Sequence, residues 1–95
     1  MITIKMPRYH IVVCGKVQGV GFRYTANYLA SKMDLTGWVK NMDNGNVSIE
    51  LQGLSINPNV FIKALEKANR FIKVDNLYYE KIDLIDSEKS FKIKY

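Results

Sequence analysis

Between Arg8 and Tyr95 the spacing of apolar residues changes period several times, and the order of those changes leaves few folds open. Tyr9, Ile11 and Val13 alternate within Arg8 to Cys14, as in a strand with one buried face. Phe22, Ala26, Leu29, Ala30 and Met33 then recur at offsets of 4, 7, 8 and 11, a single stripe along a helix. Trp38 and Val39 carry a second strand to about Met42. Asp43-Asn44-Gly45-Asn46 follows with the Asn-Gly signal of a tight hairpin. Val47, Ile49 and Leu51 alternate again up to Gly53. Asn57-Pro58 reads as an N-cap and first helical residue, and Phe61, Leu65, Ala68 and Ile72 extend that second helix to Phe71. Leu77 to Leu84 forms a fourth strand and Phe91 to Tyr95 a short fifth, across a polar segment from Ile85 to Ser90. Met1 to Pro7 reads as a loose leader.

The order β-α-β-β-α-β, with a short C-terminal fifth strand, is that of a ferredoxin-like α/β sandwich of the α+β class. It predicts an antiparallel sheet with two helices on one face, right-handed crossovers, and the third strand between the first and second. Ninety-five residues suffice for one such domain, spanning the whole chain.

Between the first strand and first helix lies Gly15-Lys16-Val17-Gln18-Gly19-Val20-Gly21-Phe22-Arg23. Glycines let backbone N–H groups turn to one side, and N–H groups feeding a helix N-terminus form a nest suited to an anion. Arg23 adds a fixed charge in the first helical turn, and phosphate is the simplest guest. The Walker loop is excluded because Val20 and Phe22 stand where Lys-Ser or Lys-Thr would follow a glycine. The dinucleotide fingerprint fails at Tyr24, its third glycine position. Glycines alone favour a ligand-free turn; Arg23 tilts the reading toward a site.

The predicted topology runs strands one and two parallel, so the glycine turn and Asn41 arrive at the same edge of the sheet. An amide there can hold a water in line with a bound phosphorus. Equally, Asn41 can simply open the hairpin turn.

Composition narrows the partners. Fourteen basic against nine acidic residues give a net charge of +5, but the basic residues are spread along the chain, which fits a small anion better than nucleic acid. No stretch reaches the ~20 apolar residues of a membrane span, and no signal-peptide block opens the chain. The single cysteine, Cys14, excludes an internal disulfide and reads as a half-buried strand residue. These features set a cytoplasmic location as the expectation. His10, on the opposite face from Ile11 and Val13, reads as a partly exposed sheet residue and not as an acid–base catalyst.

The stretches GKVQGVGFR, LTGWVKN (Leu35 to Asn41) and DNGNVSIELQG (Asp43 to Gly53) together resemble the acylphosphatase family closely over Tyr9 to Gly53. The later half is similar in its helix and strand pattern and in its ending, Phe91 to Tyr95. The resemblance implies a metal-free, cofactor-free monomeric hydrolase that splits acyl phosphates into a carboxylate and inorganic phosphate. By the same resemblance, Arg23 matches the phosphate-binding arginine and Asn41 the asparagine that orients the attacking water. The backbone of Gly15, Lys16, Val17, Gln18, Gly19 and Val20 matches the phosphate cradle. Asp34 departs from the family where many members have a glycine, and the Gly-Pro pair often seen after the second helix is absent around Asn69-Arg70. Trp38 is expected to pack against the sheet or helix, and Thr25 to sit on the helix surface. A sheet-face RNA-binding module is the alternative from another class, although the aromatic and basic stretch from Lys16 to Tyr24 falls in a turn and not on a central strand.

Overall fold

The computed structural model describes residues 6–95; most of the expected leader lies outside them. The elements are β1 (Arg8–Lys16), α1 (Phe22–Lys32), β2 (Thr36–Asn41), β3 (Val47–Gln52), α2 (Pro58–Ala68), β4 (Lys73–Ile82) and β5 (Phe91–Lys94). Five strands form one sheet in the order β4-β1-β3-β2-β5, with β3 between β1 and β2 as the topology predicts. The sheet is ferredoxin-like but mixed: β1 to β4 pair antiparallel, whereas β5 pairs parallel with β2.

The core lies between the sheet and both helices. Ile11 and Val13 of β1, Val39 of β2, and Val47, Ile49 and Leu51 of β3 are fully buried against Phe22, Ala26 and Ala30 of α1 and Phe61 and Leu65 of α2. Burying each such side chain contributes about 1.5–3 kcal/mol before the entropy of ordering is charged against it. Helix α2 starts as expected: Asn57 Oδ1 accepts from the N–H groups of Asn59 and Val60 at 2.9 and 3.4 Å, with Pro58 at the first helical position. It stops at Ala68, short of the expected Phe71, because Asn69 turns to extended backbone at φ −138°. Helix α1 closes with Asp34 at φ 57°, where the N–H of Leu35 reaches back to the Ala30 carbonyl at 2.8 Å and that of Asp34 to Ser31 at 3.3 Å. This is the left-handed helix ending that glycine ordinarily fills.

Strand β4 starts earlier than Leu77, at Lys73, because backbone pairing with β1 continues past a bulge between Cys14 and Gly15. An added Cβ on Gly15 would stand 2.4 Å from the Lys73 carbonyl oxygen, so that close approach requires glycine. After Ile82 the chain crosses the sheet end where β1 begins. Arg8, 0% exposed, holds that crossing by bonds to Glu88 Oε1 at 2.7 Å, Glu50 Oε1 at 2.8 Å and Gln52 Oε1 at 3.0 Å. Gln52 adds two bonds to the backbone of Ile85, at 3.0 and 3.1 Å. This strap delivers β5 to the free edge of β2, parallel to it, with its C-terminal end beside the start of α1.

Candidate active site

The loop between β1 and α1 runs from Val17 to Gly21. Val17 is buried and anchors it to the core. Gly19 and Gly21 adopt φ of 72° and 82°, a region that costs residues with a Cβ roughly 1–2 kcal/mol. Nothing lies within 4 Å of the place where a Gly19 Cβ would stand, so the demand there is conformational and the backbone stays open to approach. Gly21 is the N-cap of α1 and no side chain caps the helix, which leaves its first-turn N–H groups to face a ligand.

Hydrogen bonds to the β2–β3 hairpin and to the end of α2 hold this loop. Gln18 Nε2 donates to the Met42 carbonyl at 2.7 Å and the Asn46 carbonyl at 2.8 Å, clasping the β2–β3 hairpin. From the end of α2, Asn69 Nδ2 donates to the Val20 carbonyl at 2.9 Å and to Thr25 Oγ1 at 3.2 Å. Thr25 Oγ1 in turn donates to the Gly21 carbonyl at 2.9 Å.

Gly19, Gly21, Arg23, Tyr24 and Asn41, with Val17 and Phe22 beneath them, line a cleft of about 190 Å³. Arg23 lies along one side. Its Nη1 donates to the Lys94 carbonyl at 3.1 Å, and its guanidinium carbon is 4.7 Å from the centroid of the Tyr95 ring. Among the described residues no carboxylate pairs with it, so its charge and remaining donors are available to an anion. Asn41 ends β2 opposite Val47, sharing the helix-facing side of the strand with Val39. Its side chain takes no part in the hairpin turn, which closes through Met42 N–H to Asn46 O at 2.9 Å and Asn46 N–H to Asn44 Oδ1 at 3.0 Å. Asn41 Oδ1 is buried without a hydrogen-bond partner in the protein, an arrangement that costs about 1–3 kcal/mol until something donates to it.

Of the residues singled out in the sequence, Arg23, Asn41, Val17 and Gly19 meet at the cleft, and Gln18 and Val20 belong to the same loop. Gly15 and Lys16 belong to β1, paired with Val74 and Lys73, so the loop proper starts at Val17. Sequence reasoning gave no supporting role to Lys94 or the Tyr95 ring, and noted Asn69 only as part of the departure at Asn69-Arg70. His10 lies across the sheet from the cleft, its Nε2 2.8 Å from Ser48 Oγ. Trp38 is on that face too, with Lys94 Nζ 4.5 Å from its ring centroid. The open face of the central strands carries His10, Val12, Ser48 and Glu50, not the aromatic pair of an RNA-binding sheet. Among the described residues no group of three or more His, Cys, Asp or Glu side chains is placed to hold a metal, and no helix is long and apolar enough to cross a membrane.

The fold is a ferredoxin-like sandwich in which a glycine loop and an unpaired arginine gather at the strand ends, an arrangement with the charge and donors to receive a small anion. A family model of acylphosphatases matches residues 9–93, and an acylphosphatase of Clostridium beijerinckii is 49% identical over 95% of this chain and 100% of its own length. The chain belongs to the acylphosphatase family, hydrolases that act on acid anhydrides. A relative from Clostridium acetobutylicum is 51% identical over 95% of this chain and 99% of its own. The crystal structure of acylphosphatase from Bacillus subtilis superposes with a TM-score of 0.82 at 37% identity, covering 94% of this chain and 99% of that one.

Proposed function

We propose that this chain hydrolyses the carboxyl–phosphate bond of acyl phosphates, giving a carboxylate and inorganic phosphate, with Arg23 and the backbone loop holding the phosphoryl group and Asn41 holding the water. The observation that carries this is the convergence of Arg23 and Asn41, distant in sequence, on one cleft with Gly19 and Gly21. Phosphoryl transfer asks chiefly for positioning and for donors aimed at the equatorial oxygens. The loop N–H groups and the unpaired guanidinium supply both. Asn41 Oδ1 accepts a hydrogen of the water, pointing a lone pair at phosphorus from the side opposite the acyl oxygen.

As the water oxygen bonds to phosphorus, the bond from phosphorus to the acyl oxygen breaks and its electron pair leaves with the carboxylate. The water's proton passes to a phosphoryl oxygen. Asn41 is no base, and none is required, because the carboxylate is a stable leaving group. The residues assigned to these steps need no metal, and one chain supplies the whole cleft, so a monomer suffices.

The test is turnover of an aromatic acyl phosphate in the presence of a chelator. Equal release of carboxylate and inorganic phosphate is expected; absence of turnover would refute the reading.

A further inference from the structure

We infer that Asn69 is a positioning residue of the phosphate loop: its side-chain amide, reaching from the end of α2, sets the direction in which the loop presents the Gly21 N–H to the phosphoryl oxygens. This rests on the function proposed above and extends it to a residue outside the cleft, at the position where the chain departs from its family's usual Gly-Pro.

The amide is fixed at both ends. Asn69 Oδ1 accepts from the Phe71 N–H at 3.0 Å, so Nδ2 must face the loop, where both its hydrogens have acceptors, the Val20 carbonyl and Thr25 Oγ1. In a trans peptide the C=O and the following N–H point in opposite directions. No cis bond occurs among the described residues. Tying the Val20 carbonyl to Asn69 therefore turns the Gly21 N–H away from α2. The next plane is held by α1 itself: the Gly21 carbonyl accepts from the Thr25 N–H at 3.0 Å and from Thr25 Oγ1 at 2.9 Å, and Asn69 donates to that same hydroxyl. Gly21 and Phe22 both line the cleft.

One side chain thus sets the peptide plane that enters α1 and braces the hydroxyl that contacts the next. Gly21 at φ 82° has no side chain of its own to hold either plane. An added Cβ there would lie 3.5 Å from Asn69 Nδ2, which measures how closely the amide approaches the loop.

The experiment measures inhibition by inorganic phosphate, KM and kcat for wild type, Asn69→Ala, Asn69→Asp, Thr25→Val and the Asn69/Thr25 double variant. Thermal stability is followed in parallel. Asn57→Ala serves as a control, because it removes the cap at the other end of α2 and costs stability without touching the loop.

Asn69→Ala is expected to weaken phosphate binding and raise KM by the same factor, about tenfold, the worth of one buried hydrogen bond. Asn69→Asp keeps the Phe71 bond but sets a carboxylate against the Val20 carbonyl, and should weaken phosphate binding further. The double variant should lose less than the product of the single losses, since the two side chains share a hydrogen bond. Asn57→Ala should lower stability with phosphate binding unchanged.

If Asn69→Ala and Asn69→Asp lose stability alone, with phosphate inhibition and KM as in wild type, Asn69 only closes α2 and the inference is overturned. A wild type that neither binds phosphate nor turns over would instead refute the function proposed above.

Discussion

Arg23 Nη1 donates to the carbonyl oxygen of Lys94 at 3.1 Å, joining the first helix to the last strand at the mouth of the cleft. The Tyr95 ring closes over the same guanidinium at 4.7 Å. An arginine on the first turn of a helix has many rotamers, and these contacts select one before any phosphate arrives. Tyr95→Ala should therefore raise KM by about 2–5-fold, the worth of an exposed cation–π contact, with a smaller change in kcat. Steady-state kinetics of this variant decide it; an unchanged KM would mean that Arg23 is positioned without the Tyr95 ring.

Gln18 acts on the opposite flank. Its two bonds to Met42 and Asn46 couple the glycine loop to the hairpin that follows Asn41. Gln18→Leu, close in size, should lower kcat/KM by about tenfold or more, because the loop and the water-holding amide lose their common frame. If kcat/KM stays within twofold of wild type (about 0.4 kcal/mol), the clasp is dispensable.

At the far end of the sheet, Arg8 and Glu88 determine where β5 lies. Burial is the strongest influence on Glu88 and would raise its carboxyl. Hydrogen bonds from Arg8 and Thr36, with the charges of Arg8 and Lys92, outweigh it and hold the carboxyl below the ordinary glutamate range. A carboxyl lowered by folding stabilises the protein above its unfolded value, about 4.3, and that contribution disappears as pH falls through the lowered folded value. Melting temperatures from neutral to strongly acidic pH should fall more steeply for wild type than for Glu88→Gln. Parallel curves would contradict this account. Arg8→Ala should be worse than Glu88→Gln, at about 3–5 kcal/mol, because it strands two carboxylates against the strap.

The periods of apolar residues were enough to place seven elements in order and to bring Asn41 to the edge where the glycine loop lies. Where prediction and structure part, the cause lies in contacts between distant residues. The strap that leads into β5 is held by Arg8 meeting Glu88, 80 positions away, which no local pattern records. Edge strand β4 is mostly exposed, with Val74 and Leu77 only half-buried against the core, so Lys73 to Asn76 show no apolar alternation although they pair with β1. Helix α2 ends early because the Asn69 amide is engaged by Val20 and Thr25. The glycine loop was legible because its conformations exclude other residues; its supports were not, since Gln18 and Asn69 look like ordinary polar surface in sequence.

Asp34 offers a gain. It holds φ 57° where α1 ends, and Asp34→Gly should stabilise the fold by about 1 kcal/mol. The melting temperature should rise with kinetics unchanged, since Asp34 lies at the other end of α1 from the cleft. No gain in stability would mean that Asp34 meets no strain at that φ.

Arg23 and Asn41 carry the proposed chemistry. Hydrolysis of an aromatic acyl phosphate by wild type, Arg23→Ala and Asn41→Ala, with folding checked by circular dichroism, reads both at once. Each variant should lose about 10²–10³-fold in kcat/KM while remaining folded, the usual cost of one preorganised donor or of a displaced water. Asn41→Ala should in addition be as stable as wild type or more so, because it removes an unpaired buried oxygen. A folded Arg23→Ala or Asn41→Ala that keeps wild-type turnover would contradict the assignment.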